Sequence, residues 1–256
     1  VVGYALWRFV LLRDVVAFRR MWWLFLSGFV EPVFYLFSIG IGLGALVQTV
    51  TTDQGMVVSY AAFVAPAMLA ASAMNGAIAD TTYNFFFKLR FAKTYDTMLA
   101  TPARPWDIAV GEILWSLIRG GTYSAIFFLV ALVMGFVESW WAVLAIPAAL
   151  LIGAAFAAMG MWATTYMTSW KDFEFINLVI QPMFLFSATF FPLSVYPEAL
   201  QWLVRLMPLY HGVEIQRGLL LGDVHWGLLV SAAYLAGLAG LGLWGASRRI
   251  SQLLLT

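Results

Sequence analysis

Residues able to do chemistry are few in this chain, and their spacing fits no catalytic frame. The two histidines, His211 and His225, have no partner at metal-ligand spacing and stand in no H-E-x-x-H frame, so a zinc site is not expected. The absence of cysteine removes disulfides, thiolate metal sites and a thiol nucleophile. No G-x-S-x-G occurs, and carboxylates inside the apolar runs are nearly absent, which argues against an intramembrane hydrolase or a proton relay. No G-x-x-x-x-G-K-[ST] loop is present to cradle ATP phosphates, so ATP and Mg would have to be handled by another chain, and no cofactor is expected here. One polar constellation remains: His211, Glu214 and Arg217 recur every three residues on one helix face and could form a mutual hydrogen-bonded set. Such a set either neutralises itself at a membrane interface or touches a substrate.

The elements that would carry these residues are set by composition. The chain has 256 residues, 63% of them hydrophobic and 11% charged, with a mean hydropathy of +0.88. That is more apolar surface than one water-soluble core can hide, so the solvent is largely lipid. A net charge of +1, with 14 scattered Lys and Arg, offers no concentrated basic face and argues against nucleic acid. A hydrocarbon layer about 30 Å thick needs roughly 20 apolar residues in a helix. Six runs qualify, near 23–47, 57–79, 118–137, 141–164, 174–192 and 226–246. Glu31-Pro32 cuts the first, so a lead-in helix followed by a span from near Glu31 is one reading of it. The opening spreads Arg8, Arg13, Arg19 and Arg20 along a helical pattern, unlike a cleavable signal. With both termini cytoplasmic, the outside segments hold only Arg205 and Arg217 among the cations, which sets the orientation. Trp22, Trp23, Trp140, Trp141 and Trp226 fall at the expected boundaries.

Two segments do not fit a simple stack of spans. The first, "KTYDTMLATPARPWD", reads as two helix starts in succession. Thr94 can cap a short helix with Asp96 in its first turn and Pro102 beyond its end, while Pro105 and Asp107 open the next helix, which carries Glu112 and Arg119. Tyr95, Met98 and Leu99 then share one apolar face, which packs either on its own chain or on a partner. The second, from Phe190 to Gly212, is interrupted by Pro192, Pro197 and Pro208.

The runs "YDTMLATPARPWDIAVGEILW" and "LFSATFFPLSVYPEALQWLVRLMPLYHGVEIQRGLLLG", with "EPVFYLFSIGIGLG" and "FVAPAMLAASAMNGA" upstream, resemble type-2 ABC exporter permeases across nearly the whole chain. The closer likeness is to the branch that exports nodulation lipo-oligosaccharides; drug-exporter permeases are also similar. The resemblance implies an all-α integral membrane protein of the type V exporter fold, one permease domain over 1–256. It would have six spans per subunit, an interfacial connecting helix within 1–20, a cytoplasmic coupling region within 81–106 and re-entrant helices within 193–222. It implies a homodimer in the bacterial inner membrane, paired with two ATPase subunits and moving an amphipathic substrate. Tyr95, Asp96, Met98, Leu99 and Arg104 would meet the ATPase, with the apolar face in an ATPase groove. Pro192, Tyr196, Pro197, Trp202, Pro208, His211, Glu214 and Arg217 would form an external gate. Lys93 departs from the polar or acidic residue expected ahead of the coupling helix. The competing classes need features the chain lacks: a lipid-modifying membrane enzyme requires acid, base or nucleophile groups clustered at one depth, and a secondary transporter requires repeated halves with midplane breaks.

Overall fold

The computed structural model describes residues 6–19, 30 and 33–254. The break expected at Glu31-Pro32 and the boundary residues Trp22 and Trp23 lie outside the described residues. In chain order the elements are α1 (Trp7–Arg19), α2 (Val33–Val47), strands β1 (Thr49–Thr51) and β2 (Val57–Ser59), then α3 (Tyr60–Phe91), α4 (Thr94–Leu99), α5 (Pro105–Val133), α6 (Trp140–Thr164), α7 (Phe173–Phe186), α8 (Glu198–Leu206), α9 (Pro208–Leu221) and α10 (Gly227–Leu254). Among the described residues, α3, α5, α6 and α10 are long and apolar enough to cross a membrane.

The most buried helix is α3, against which α2, α5, α6 and α9 pack. Its start is capped by Ser59, whose hydroxyl accepts from Ala62 N, and it passes into π-helical turns at Asp80–Asn84 and Phe87–Phe91. Small residues let these helices approach closely. A Cβ on Gly76 would lie 2.8 Å from Gly120 Cα, closing α3 on α5, and one on Gly242 would lie 2.6 Å from the Ala158 backbone, closing α10 on α6. Residues Thr49–Thr51 and Val57–Ser59 form an antiparallel hairpin with Val50 opposite Val58, and Gly55 supplies the positive φ of its turn.

The run at 174–192 departs most from its expected form. Helix α7 has 14 residues, fewer than a crossing needs. It stops where the Ser187 hydroxyl donates back to Met183 O and Ala188 turns to φ 54°. Only Phe173 and Met183 of α7 are buried. Its start is pinned by an aromatic cluster, with Phe173 stacked on Tyr83 at 4.4 Å and edge-on to Phe86 at 5.2 Å.

Candidate functional site

The end of the bundle that carries α4 is tied together by charge. In α1, Val10 and Asp14 share one face by i, i+4 spacing and are both buried. Gly111 gives Val10 its seat on α5, since a Cβ there would lie 2.6 Å from Val10 Cβ. This docking brings Arg13 and Asp14 to Lys88 at the end of α3 and Glu112 in α5. Arg13 reaches Glu112 at 2.6 Å and Asp14 at 2.9 Å, while Lys88 reaches the same two carboxylates at 2.7 and 2.9 Å. Two cations and two carboxylates cancel, which makes burial of Glu112 and Asp14 tolerable. Burial and the Glu112 charge still push the Asp14 carboxyl up, against the pull of Lys88 and Arg13.

Helix α4 joins this network through its apolar face. The Tyr95 hydroxyl donates to Glu112 Oε1 at 2.9 Å, its ring is fully buried beside Phe85, and burial with the Glu112 charge pushes the phenol well up. Arg13 also donates to Met98 Sδ at 3.5 Å, and Met98 and Leu99 are half-buried against the core. The apolar face of α4 therefore packs on its own chain and is not the exposed surface that an ATPase groove would take. Lys93, Asp96, Thr97 and Ala100 are exposed in its place. Thr94 does not cap the helix: the N-cap is Lys93, in the left-handed region at φ 46° and with no side-chain cap bond. Arg104 precedes α5 as its N-cap, donating its backbone N–H to Asp107 Oδ2 at 3.1 Å, with Pro105 in the first turn as the spacing predicts.

Within the apolar zone lies a carboxylate that the runs do not reveal. Asp80 is buried in α3 and accepts from Arg119 at 2.6 Å and from Asn84, while Arg119 Nε donates to Tyr123 at 2.7 Å. The only sequence signal for it is a polar run, Asp80 to Asn84, closing the second apolar segment. Beside the pair opens a cavity of about 330 Å³ lined by Tyr35 of α2, Asn75 of α3, Arg119 and Tyr123 of α5, and Asn177 and Gln181 of α7. Side-chain amides in apolar helices were its visible trace.

At the opposite end, the prolines break the chain where expected. Pro192 precedes a 3-10 turn at Leu193–Val195, Pro197 is the N-cap of α8, and Pro208 opens α9. Glu198 stands in the first turn of α8, and Trp202 is exposed with Arg205 over its ring. Tyr196 ends the 3-10 turn, and its carbonyl accepts from Gln201. Ser187 N still donates to Met183 O, but residues Ala188 to Phe190 are buried beyond the last helical bond, so their backbone polar groups need other partners. Arg217 donates to Ala188 O at 2.9 Å and Tyr60 to Phe190 O at 3.3 Å, and just beyond them Asp53 accepts from Leu193 N and Ser194 N, each at 3.0 Å.

The trio of His211, Glu214 and Arg217 is accordingly divided. His211 Nδ1 lies 2.9 Å from Ser231 Oγ, which donates to Glu214, so these two meet through α10. Arg217 turns instead to the unwound backbone and stacks over Phe63 at 3.8 Å. Positions i, i+3 and i+6 drift around the helix, and the carbonyl freed at Ala188 captures the cation. Asp53 is the hairpin's hold on this segment. Asp53→Ala strips the acceptor from two backbone donors, so faster hydrogen exchange across 187–196 is expected, with a loss of about 1–3 kcal/mol in stability. Unchanged exchange there would contradict the assignment.

The amino-acid sequence matches known proteins over most of the chain. Residues 5–221 fit the family model of the ABC-2 type transporter. The chain is 34% identical over 233 residues to Nodulation protein J of Rhizobium meliloti (strain 1021), covering 89% of this chain and 85% of that protein. It is 36% identical over 200 residues to Nodulation protein J of Rhizobium leguminosarum bv. viciae, covering 77% and 75% respectively. On the strength of that match, the chain belongs to the ABC-2 type transporter family.

Proposed function

We propose that this chain is the permease of an ATP-driven exporter that moves an amphipathic substrate, a lipo-oligosaccharide or lipid-linked glycan, out of the cytoplasm or inner leaflet. It works as a homodimer with two ATPase subunits, which carry ATP and Mg. The observation that carries the reading is the polar cavity at Asn75, Arg119, Asn177 and Gln181 inside an otherwise apolar bundle, open beside a helix that buries little of its own surface. Arg119 is held by Asp80 and Tyr123, but side-chain amides at membrane depth such as Asn75, Asn177 and Gln181 need water, substrate or a second copy to satisfy them. A second copy facing α2 and α7 would complete the pathway; in the six-span reading α2 is the first span, and α7 together with the unwound segment up to Pro192 is the fifth. The end bearing α4 is cytoplasmic in this reading, and α8 and α9 are the re-entrant pair, with Pro192, Tyr196, Trp202 and Pro208 holding the outer gate.

Helix α4 is the coupling element, and its contact with the ATPase is the exposed face. Movement imposed there passes through Tyr95 and Glu112 to α1, α3 and α5. The test is charge reversal at Asp96 with a bulky residue at Ala100. Asp96→Lys/Ala100→Trp is expected to weaken ATPase association at least about tenfold, roughly 1.4 kcal/mol, with permease unfolding unchanged. Thr51→Asp, in the exposed strand of the hairpin, is the control. Equal ATPase binding by the α4 variant and the control would overturn the coupling assignment, and a hydrophobic drug exported in preference to an alkyl glycoside would favour the drug-exporter reading.

A further inference from the structure

A second cavity, of about 810 Å³, lies between α6 and α7 and is almost wholly apolar. Its walls include Phe156, Met159 and Ala163 of α6 and Val179 of α7. Ile78 of α3 and Ile180 of α7 line both this groove and the polar cavity, so the two spaces adjoin at that pair of side chains. We propose that the groove seats a single hydrocarbon tail of the substrate while an uncharged, hydroxyl-rich head group occupies the polar cavity, the two joined between Ile78 and Ile180.

The proposal rests on the amphiphile-export reading and adds where each half of the amphiphile binds. The chemistry of the two lobes differs as the halves of such a molecule differ. Arg119 is already neutralised by Asp80, so the polar lobe presents amides and phenols and no net charge, which suits hydroxyls better than a phosphate. The apolar lobe is within the roughly 300–1,000 Å³ typical of sites that enclose small ligands. A tail there replaces contacts that would otherwise be filled loosely by bilayer chains, so its gain comes from closer packing and grows with the length of tail seated. Adjacency to the polar lobe across Ile78 and Ile180 is what favours the substrate as occupant over a bulk phospholipid. Arg90, which donates to the carbonyl of the groove-lining Met167, and Arg249, over the Tyr166 ring, make an anionic phospholipid the competing occupant to test.

The experiment uses the full permease–ATPase complex in lipid discs, with octyl and hexadecyl maltosides carrying a diazirine at the chain end. Hexadecyl maltoside should label α6 and α7 at the groove and stimulate ATP hydrolysis. Ala163→Trp, which fills the groove from an exposed position, should raise its half-maximal concentration at least about tenfold while leaving that of octyl maltoside within about twofold. Reading each variant against wild type removes the general rise of membrane partitioning with tail length. Gln181→Ala should weaken both maltosides alike. Stimulation with the same tail-length dependence in wild type and Ala163→Trp overturns the groove assignment and leaves the export reading intact. So does labelling of the groove by a diazirine phosphatidylglycerol and not by the maltoside. A single Ala163→Cys in this cysteine-free chain that cross-links to its counterpart in a second copy would overturn it too, by making the groove a subunit contact. If no alkyl glycoside alters hydrolysis in any variant although the ATPase is bound, both readings fall.

Discussion

Glu112→Ala is expected to lower permease stability by about 3 kcal/mol and to uncouple α4 from the bundle. Removing one carboxylate from a buried, balanced set of four charges typically costs about 3–5 kcal/mol, because the remaining charges stay desolvated. The lower figure applies here, since the Arg13 and Lys88 side chains keep 28% and 20% of their exposure and recover some hydration. The Tyr95 hydroxyl, fully buried, loses its acceptor in the same step. Glu112→Gln keeps an acceptor for Tyr95 and removes only the charge, so it should fall between. Tyr95→Phe removes one hydrogen bond to a charged group, about 1.5–3 kcal/mol. Equilibrium unfolding in lipid discs measures the stability order, and substrate-stimulated ATP hydrolysis measures coupling. If Glu112→Ala unfolds like wild type and retains stimulation, the network is neither a structural tie nor a transmission path.

The second large effect is expected at Arg119. Arg119→Met leaves the Asp80 carboxylate buried in the apolar zone without its main counter-charge, so a loss of about 3–5 kcal/mol and reduced membrane levels are expected. Pairing it with Asp80→Leu removes both charges and should restore most of the stability, since an apolar pair of similar volume avoids the desolvation of the ions. The double variant separates structure from function. If the polar cavity receives the substrate head group, transport stays at least about tenfold low even though the bundle is stable again. Wild-type transport by the double variant would mean the pair only holds α3 to α5. Wild-type stability of Arg119→Met would mean that Asp80 is satisfied by other means.

Local signals account for what could be read from the residues alone. The apolar run at 141–164 became α6, Trp140–Thr164, because an unbroken apolar stretch of that length has one membrane-compatible conformation. Pro105 opens α5, and Pro192, Pro197 and Pro208 break the chain where they stand, since a missing N–H acts on its own turn. The motifs also carried the family, which the match over residues 5–221 established. Which face of α4 meets solvent was another matter: i, i+3, i+4 spacing defines an apolar face but not what covers it, and the cover depends on Glu112, 17 residues beyond Tyr95, and on Arg13, 85 residues before Met98. The fate of Arg217 depended on the unwound backbone near Ala188, 29 residues away, and on Phe63, 154 residues away. The sequence alone determined the four long apolar helices and the proline breaks after Phe190, because hydropathy and proline act within a turn or a helix. The tertiary structure decided the pairing of buried charges and freed carbonyls, because a desolvated group bonds to whatever the packing of distant helices brings within 3 Å or so, and no spacing along the chain encodes that neighbour.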